Sequence, residues 1–374
     1  MMRWCSSCIL PDTRPNLSIT DDGVCNACHA HEAKDFVDWE ARTSEFKSLV
    51  KYATDQSRGN YDCLIPVSGG KDSTWQVVTC LDAGLRVLAL TWRPPGRTAI
   101  GQKNLDNLIS LGVDHVDFSV SPAIEKRFML ETLTKAGSPA IPMHLALFNL
   151  PLNFAIRFQI PLIVWGENSA AEYGSPDGED SGSDLDARWL RRYGVSAGTS
   201  AKDWVSENLK EKELIPYFGP SPHAIKEAQL RSVFLGHYFP WDPETTRNAA
   251  TARGFQASDN PRTGFYNYAD IDDTFISVHH WFKWFKFGFT RLFDNLSLEI
   301  RNGRLSRDEA VDIVKQSGEE RPEDDIKELC GFLGITADHF RSIEDSMRNP
   351  NVWSKNTHGT WFIPNFLTSD WEWK

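Results

Sequence analysis

The residues of this chain best suited to chemistry fall in two groups, the hexad Ser68-Gly69-Gly70-Lys71-Asp72-Ser73 and four cysteines near the start. The hexad follows an apolar run, Asp62–Val67. It leads into a segment with Trp75, Val78, Leu81 and Leu85 at the spacing of an amphipathic helix, read as Asp72 to Leu85. Two glycines lacking Cβ let backbone amides close round an anion. The following helix aims its positive end and free N–H groups at the same place. Lys71 adds a cation, Ser68 and Ser73 add hydroxyls, and Asp72 can hold Mg²⁺ among phosphate oxygens. The hexad is therefore expected to cradle a pyrophosphate.

Cys5-x-x-Cys8 and Cys25-x-x-Cys28 have the spacing of two knuckles around one tetrahedral zinc. Pro11, Pro15 and Asp21-Asp22-Gly23 between them favour tight loops. So short a module buries little, and a metal would supply the missing stability. A redox pair, a disulfide or an iron–sulfur cluster are the competing uses of such sulfurs.

The elements that must position these groups alternate. Asp62–Val67, Arg86–Trp92, His115–Ser119 and Leu162–Trp165 read as strands, and Asn104–Leu111 as a helix closed by Gly112. That order implies an α/β fold with a parallel sheet and ligands at the carboxyl ends of strands. Both the hexad and Glu167-Asn168 sit at such ends. His31–Tyr52 reads as one amphipathic helix joining the cysteine module to the sheet. Tyr173–Asp186, rich in Gly, Ser and Asp, reads as a solvated loop, an insertion or a lid over the site. The last third is helical in pattern: Pro243–Arg253, an aromatic segment from His279 to Phe289 expected to pack in the core or at an oligomer interface, and a capping-box start at Ser306. The expected division is 1–58 for the zinc module and bridging helix, 59–240 for the nucleotide domain and 241–374 for a mostly helical domain. With 374 residues and a net charge of −11, the chain is not built mainly to hold nucleic acid. No apolar run is long enough to span a membrane, and the start lacks the apolar core of a secretory leader. A cytoplasmic enzyme is expected.

Ser68–Ser73 resembles the PP-loop of the ATP pyrophosphatases (adenine nucleotide alpha hydrolase-like fold), Ser-Gly-Gly-x-Asp-Ser, and lacks the longer spacing of a Walker A loop. Further segments resemble the N-acetyl sugar amidotransferase family of surface-polysaccharide and flagellin-glycan biosynthesis. They are Cys5–Cys8 with Cys25–Cys28, Gly101–Asn107, Trp165–Ala170 with Glu172–Gly174, His237–Trp241, Ile271–Asp273, Lys286–Arg291, Glu299–Arg301 and Arg304–Arg307. Arg262–Phe265 and Leu292-Phe293 depart from the family's commoner residues. The resemblance implies an ATP-dependent ligase that turns a sugar's acetamido group into an acetamidino group, releasing AMP and pyrophosphate. It implies ATP, Mg²⁺ and Zn²⁺ as cofactors. Ser68, Gly69, Gly70, Lys71, Asp72 and Ser73 would hold the phosphates, with Thr91 and Trp92 near adenosine. Lys71, Asp72 and Glu167 are the expected catalytic groups, with Asp72 on Mg²⁺ and Glu167 either touching metal or sugar or capping a helix. Asn168, His237 and Arg262 are the expected sugar contacts. Asp272-Asp273 would either touch metal or substrate or cap a loop. Implied partners are a nucleotide-linked or otherwise activated N-acetyl sugar and a separate glutaminase supplying ammonia.

A tRNA 2-thiolation enzyme also combines a PP-loop with cysteine knuckles, but it would want a basic surface and accessible catalytic cysteines. Cys63, Cys80 and Cys330 lie in apolar patterns. A non-catalytic zinc and nucleotide adaptor in a glycan assembly is the remaining alternative.

Overall fold

A computed structural model describes residues 2–175 and 182–373. Five parallel strands form the central sheet among these residues: β1 (Cys63–Pro66), β2 (Val87–Trp92), β3 (Asp114–Phe118), β4 (Leu162–Trp165) and β5 (Arg231–Phe234). Their order is β3-β2-β1-β4-β5, with Leu64 opposite both Leu88 and Ile163. The chain first winds outward from β1 to β3, then returns to the other side of β1. The order reverses between β1 and β4, and the carboxyl ends there form the crevice where open α/β sheets bind ligands. The hexad follows β1 and Glu167 follows β4.

Every residue of β1, β2 and β4 is buried, because helices cover both faces of the sheet. On one face Cys63, Ile65, Val87 and Val164 pack with α2 (Trp39–Gln56), α3 (Lys71–Asp82) and α4 (Ala99–Ser110). On the other, Leu64, Leu88, Leu90 and Ile163 pack with α5 (Pro122–Ala136) and α6 (Ile141–Arg157). Each fully buried Leu or Ile here contributes about 1.5–3 kcal/mol. The expected single helix from His31 to Tyr52 is two: α1 (Asn26–Glu32), a tight turn at Ala33–Phe36, then α2. Asp38 causes the break, since its side chain accepts the Ala41 amide at 2.9 Å and starts α2 anew.

Short helices α7 (Ser169–Tyr173), α8 (Ala187–Tyr193) and α9 (Pro222–Glu227) lie between β4 and β5. After β5 come α10 (Pro243–Thr251), α11 (Ile276–Phe287), α12 (Arg291–Arg301), α13 (Arg307–Ser317), α14 (Glu323–Leu333) and α15 (Ala337–Ser346). A small antiparallel pair, β6 (Ser354–Lys355) and β7 (Trp361–Phe362), follows. Ser306 and Glu309 make the expected capping box at α13. The aromatic segment is α11, and Trp284, Phe282 and Phe285 are buried against α14, α15 and the C-terminal tail. The cysteine module shares a core with α12 and α13 through Phe289, Phe293, Leu296 and Val314. Of the expected lid loop, residues 176–181 lie outside the described residues. No described helix is long and apolar enough to cross a membrane.

Glu125 on α5 is buried at 2 % exposure with the Tyr217 hydroxyl donating to Oε2 at 2.6 Å. Burial outweighs that bond and pushes its carboxyl up to about 7. The unfolded carboxyl titrates near about 4.3. Its favourable contribution is therefore complete below that value and is lost as pH rises through 7. Glu125→Gln is expected to make the protein more stable than the parent at pH 8, by up to roughly 3 kcal/mol, and to leave little gain at pH 5. Urea unfolding at the two pH values measures this; equal destabilisation at both would contradict it.

Candidate active site

The hexad makes a tight turn from β1 into α3. Gly69 has φ +88, and a Cβ there would meet the Leu105 backbone N at 2.5 Å, so α4 packs on this turn only because the residue is glycine. Ser68 Oγ accepts the Gly70 amide at 3.3 Å, and Ser73 Oγ donates to the Gly70 carbonyl at 3.0 Å. Lys71 heads α3 at 4 % exposure; its ammonium lies 2.7 Å from both Asp72 oxygens and 3.2 Å from Thr246 Oγ1. Trp241 donates Nε1 to Asp72 Oδ1 at 3.0 Å and places its ring under Lys71. His237–Trp241 thus touches the hexad through its last residue.

A cavity of about 810 Å³ opens from this turn. Ser68, Asp72 and Ser73 form one end, and Thr91, Trp92, Gly166 and Glu167 come from the ends of β2 and β4. Thr91 is fixed by donating to the Val67 carbonyl at 2.8 Å. Burial and then the neighbouring Asp72 charge push the Glu167 carboxyl up to about 7. A smaller space of about 200 Å³ adjoins the turn, bounded by Lys71, Asp72, Glu167, Tyr268 and Arg291.

Residues 270–291 supply a second part of the lining, which adjoins the hexad. Asp270, Asp272 and Asp273 lie on a loop clasped to the start of α4, where the Thr98 amide donates to the Asp272 carbonyl at 3.0 Å. A Cβ at Gly101 would meet Asp272 Cα at 2.6 Å, which explains glycine at the first position of the Gly101–Asn107 segment. Burial raises Asp272 to about 6 and Asp273 to about 7. Asp273 also caps the loop by accepting the Phe275 amide at 3.1 Å. Burial acts to raise Asp270 too, but Arg291, donating at 2.9 Å, outweighs it and holds this carboxyl well below the usual range.

Helix α11 turns His279, His280, Lys283 and Lys286 into the cavity while Trp281, Phe282, Trp284 and Phe285 face the core. His280 is 7 % exposed, and neither ring nitrogen has a hydrogen-bond partner among the described residues; Asp270 Oδ1 is 3.6 Å away. Burial lowers His280 to about 4, leaving a neutral imidazole able both to donate and to accept. Lys283 is matched by Asp294 at 2.8 Å. Among the described residues Lys286 donates to the carbonyls of Ala136 and Gly137, and burial followed by the Lys283 charge lowers it to about 8. These groups face one another only in the folded chain. The one sequence signal was polar residues at i, i+1, i+4 and i+7 along an aromatic helix.

The expected sugar contacts are placed differently. Asn168 caps α7: its Oδ1 accepts the Ala170 amide and Trp189 Nε1, both at 2.9 Å, so its carbonyl oxygen serves the fold. His237 lies outside the cavity lining, against Arg42 and with Glu45 at 3.6 Å. Arg262 pairs with Asp325 at 2.7 Å beside a separate depression. Neither side chain lines the cavity: Arg262 is held by its ion pair with Asp325, and His237 packs against Arg42.

Cys5, Cys8, Cys25 and Cys28 are buried, with Sγ–Sγ distances of 4.0 Å (Cys5–Cys28) and 3.7 Å (Cys8–Cys25). Sulfurs about 2.3 Å from a tetrahedral metal would stand about 3.8 Å apart, so the cluster has the size of such a site. The Cys8 and Cys25 amides donate to Cys5 Sγ at 3.4 and 3.2 Å, as suits a thiolate. The donor set fits one metal ion.

Residues 262–366 match the family model described as LPS biosynthesis protein WbpG-like, C-terminal domain. No curated protein matches the chain. Among solved structures it is similar to NMN synthetase from Francisella tularensis, with 12 % identity, 60 % of this chain and 99 % of that chain covered, and a TM-score of 0.28. It is also similar to NH3-dependent NAD synthetase from Campylobacter jejuni in complex with the nitrate ion. There the identity is 15 %, coverage 60 % of this chain and 100 % of that chain, and the TM-score 0.31.

Proposed function

For a chain that joins a PP-loop α/β fold to a C-terminal region similar to that of the WbpG-like LPS biosynthesis proteins, we propose an ATP-dependent sugar amidotransferase. The reaction converts an acetamido group of a sugar to an acetamidino group. The observation that carries this reading is the origin of the cavity walls: the PP-loop part comes from the sheet, and the part from Asp270 to Arg291 comes from within the matched region. A nucleotide-activating turn and a polar acceptor wall share one space.

The amide oxygen is a poor leaving group and must be activated. In the proposed first step it attacks the α-phosphorus of ATP, the bond to pyrophosphate breaks, and the amide N–H gives up its proton. Ser68, Gly69, Gly70, Lys71 and Ser73 would receive the departing pyrophosphate, stabilising charge as it develops. Asp72 and Glu167 would hold Mg²⁺, which neutralises phosphate charge when bound. Asp272 and Asp273, with carboxyls titrating near 6 and 7, are suited to take the amide proton at neutral pH. Ammonia then adds to the imidate carbon, the C–O bond to AMP breaks, and the product leaves as an amidinium ion. Thr91 and Trp92 would border adenosine. His279, His280 and Lys286 would face the acceptor sugar, nucleotide-linked or otherwise activated. Ammonia would come from a separate glutaminase, and the four cysteines would hold zinc.

The burial of Cys63, Cys80 and Cys330 in cores away from the cavity supports amidation over tRNA thiolation, which needs a reactive sulfur at the site. Incubation with Mg·ATP, ammonium and a panel of N-acetyl sugars, free and nucleotide-linked, tests the reading by mass spectrometry. AMP and a product with NH in place of O are expected together. AMP formed only when tRNA is added would sink it.

A further inference from the structure

The N-terminal module reaches the cavity. Arg14, Pro15 and Asn16, from the loop between its knuckles, lie in the cavity wall. Arg14 donates Nε to Asp294 Oδ1 at 2.8 Å and Nη1 to the Tyr173 carbonyl at 3.1 Å, with its guanidinium 5.0 Å over the Tyr173 ring. Lys34 Nζ stands 2.6 Å from both carboxylate oxygens of Glu172. Gly174 lies so close to Asn26 that a Cβ there would meet Asn26 Oδ1 at 2.6 Å. Three parts of the module thus grip the consecutive residues Glu172, Tyr173 and Gly174.

Those residues end the segment that leaves β4 with Glu167 and continues through α7. A helix as short as α7 does not hold itself in water. Its place comes from tertiary contacts, and the module supplies the charged ones together with Arg301, which donates to the Glu172 carbonyl at 3.1 Å. Burial pushes the Glu172 carboxyl up, and Lys34 pulls the other way, so the ion pair keeps a buried carboxylate matched. Arg14 also shares Asp294 with Lys283, which ties the same loop to the opposite wall.

We infer that Arg14 and Lys34 are positioning residues for the active site. They hold the segment from Glu167 to Gly174 so that the Glu167 carboxyl stays beside Asp72 in the cavity lining, and the four-cysteine cluster fixes where they stand. A metal site in the N-terminal module thereby governs the geometry of the nucleotide site. The inference rests on ATP binding at the PP-loop and not on the identity of the acceptor.

The test compares Arg14→Met, Arg14→Lys and Lys34→Met with Arg3→Ala, which removes an exposed ion pair with Asp12 elsewhere on the module. Metal content, unfolding midpoint and hydrogen exchange are read for each, with kcat and KM for ATP in sugar-dependent turnover. The Met variants are expected to retain metal and to exchange about tenfold faster over residues 168–174. Their kcat falls about tenfold or more while KM for ATP stays within about twofold. Arg14→Lys recovers part of both effects, and Arg3→Ala matches the parent. Removing the metal with a chelator gives the same faster exchange over 168–174. Unchanged exchange there in both Met variants, or faster exchange spread evenly over the chain, overturns the inference. The exchange arm needs no acceptor, so it stands or falls apart from the amidination reading.

Discussion

Replacing Lys71 by Met or Asp72 by Asn is expected to lower pyrophosphate release by roughly 10²–10³-fold, the usual cost of deleting a charged group aimed at developing charge. Lys71 is buried at the head of α3, with its ammonium against Asp72 and over the Trp241 ring. Such a buried cation gains little for the fold, because its desolvation offsets much of the attraction to Asp72. Its value comes when phosphate oxygens enter the turn. Met keeps the length and most of the packing; Asn keeps an acceptor for Trp241 Nε1. The unfolding midpoint of the Met variant should therefore move far less than the rate, whereas the Asn variant leaves a buried ammonium unmatched and is expected to lose stability as well. Turnover within about tenfold of the parent in both variants would remove the PP-loop from the mechanism.

Cysteine substitution should have the largest effect on stability. Cys8→Ser or Cys25→Ser is expected to abolish binding of one equivalent of zinc and to destabilise the protein by several kcal/mol. The four sulfurs sit in a small core with Ile9, Leu10, Leu17 and Ala27, docked on Phe293, Leu296 and Val314 of α12 and α13. Without metal, four sulfurs packed at this spacing lose their common partner, and loops this short have little else to hold them. Metal analysis and thermal unfolding check the prediction. A zinc-free protein with the parent's midpoint would show that packing alone suffices.

What was legible in the sequence was local. The hexad declares itself because all its groups lie on one turn, and the cysteines because each knuckle is a three-residue step. β1, β2 and β4 were legible because strands buried on both faces are continuous apolar runs. α6 carries no such signal: Pro142 sits at its start, where no helical N–H bond is lost, but Pro151 lies inside it, a residue that local propensity places outside helices. β5 is a short strand with a charged first residue and was missed for that reason. Of the wall from Asp270 to Arg291, Ile271–Asp273 and Lys286–Arg291 are legible only through the family resemblance, and Asp270 and His280 acquire meaning only once the fold sets them in one cavity with the PP-loop. Asn168 was read as a ligand contact when it is a helix cap, a role for which Asn is among the best residues. His237, expected from its place in the His237–Trp241 segment, packs against Arg42, and Arg262, expected from its charge, pairs with Asp325.

The central claim is that the PP-loop activates an acetamido oxygen by adenylation. It is tested most directly with an accepted N-acetyl sugar whose acetamido oxygen carries a heavy-isotope label, incubated with Mg·ATP and ammonium. Attack of that oxygen on the α-phosphorus predicts that the label leaves the sugar and appears in the AMP phosphate, with pyrophosphate unlabelled. AMP formed without label, beside an acetamidino product, would contradict the account.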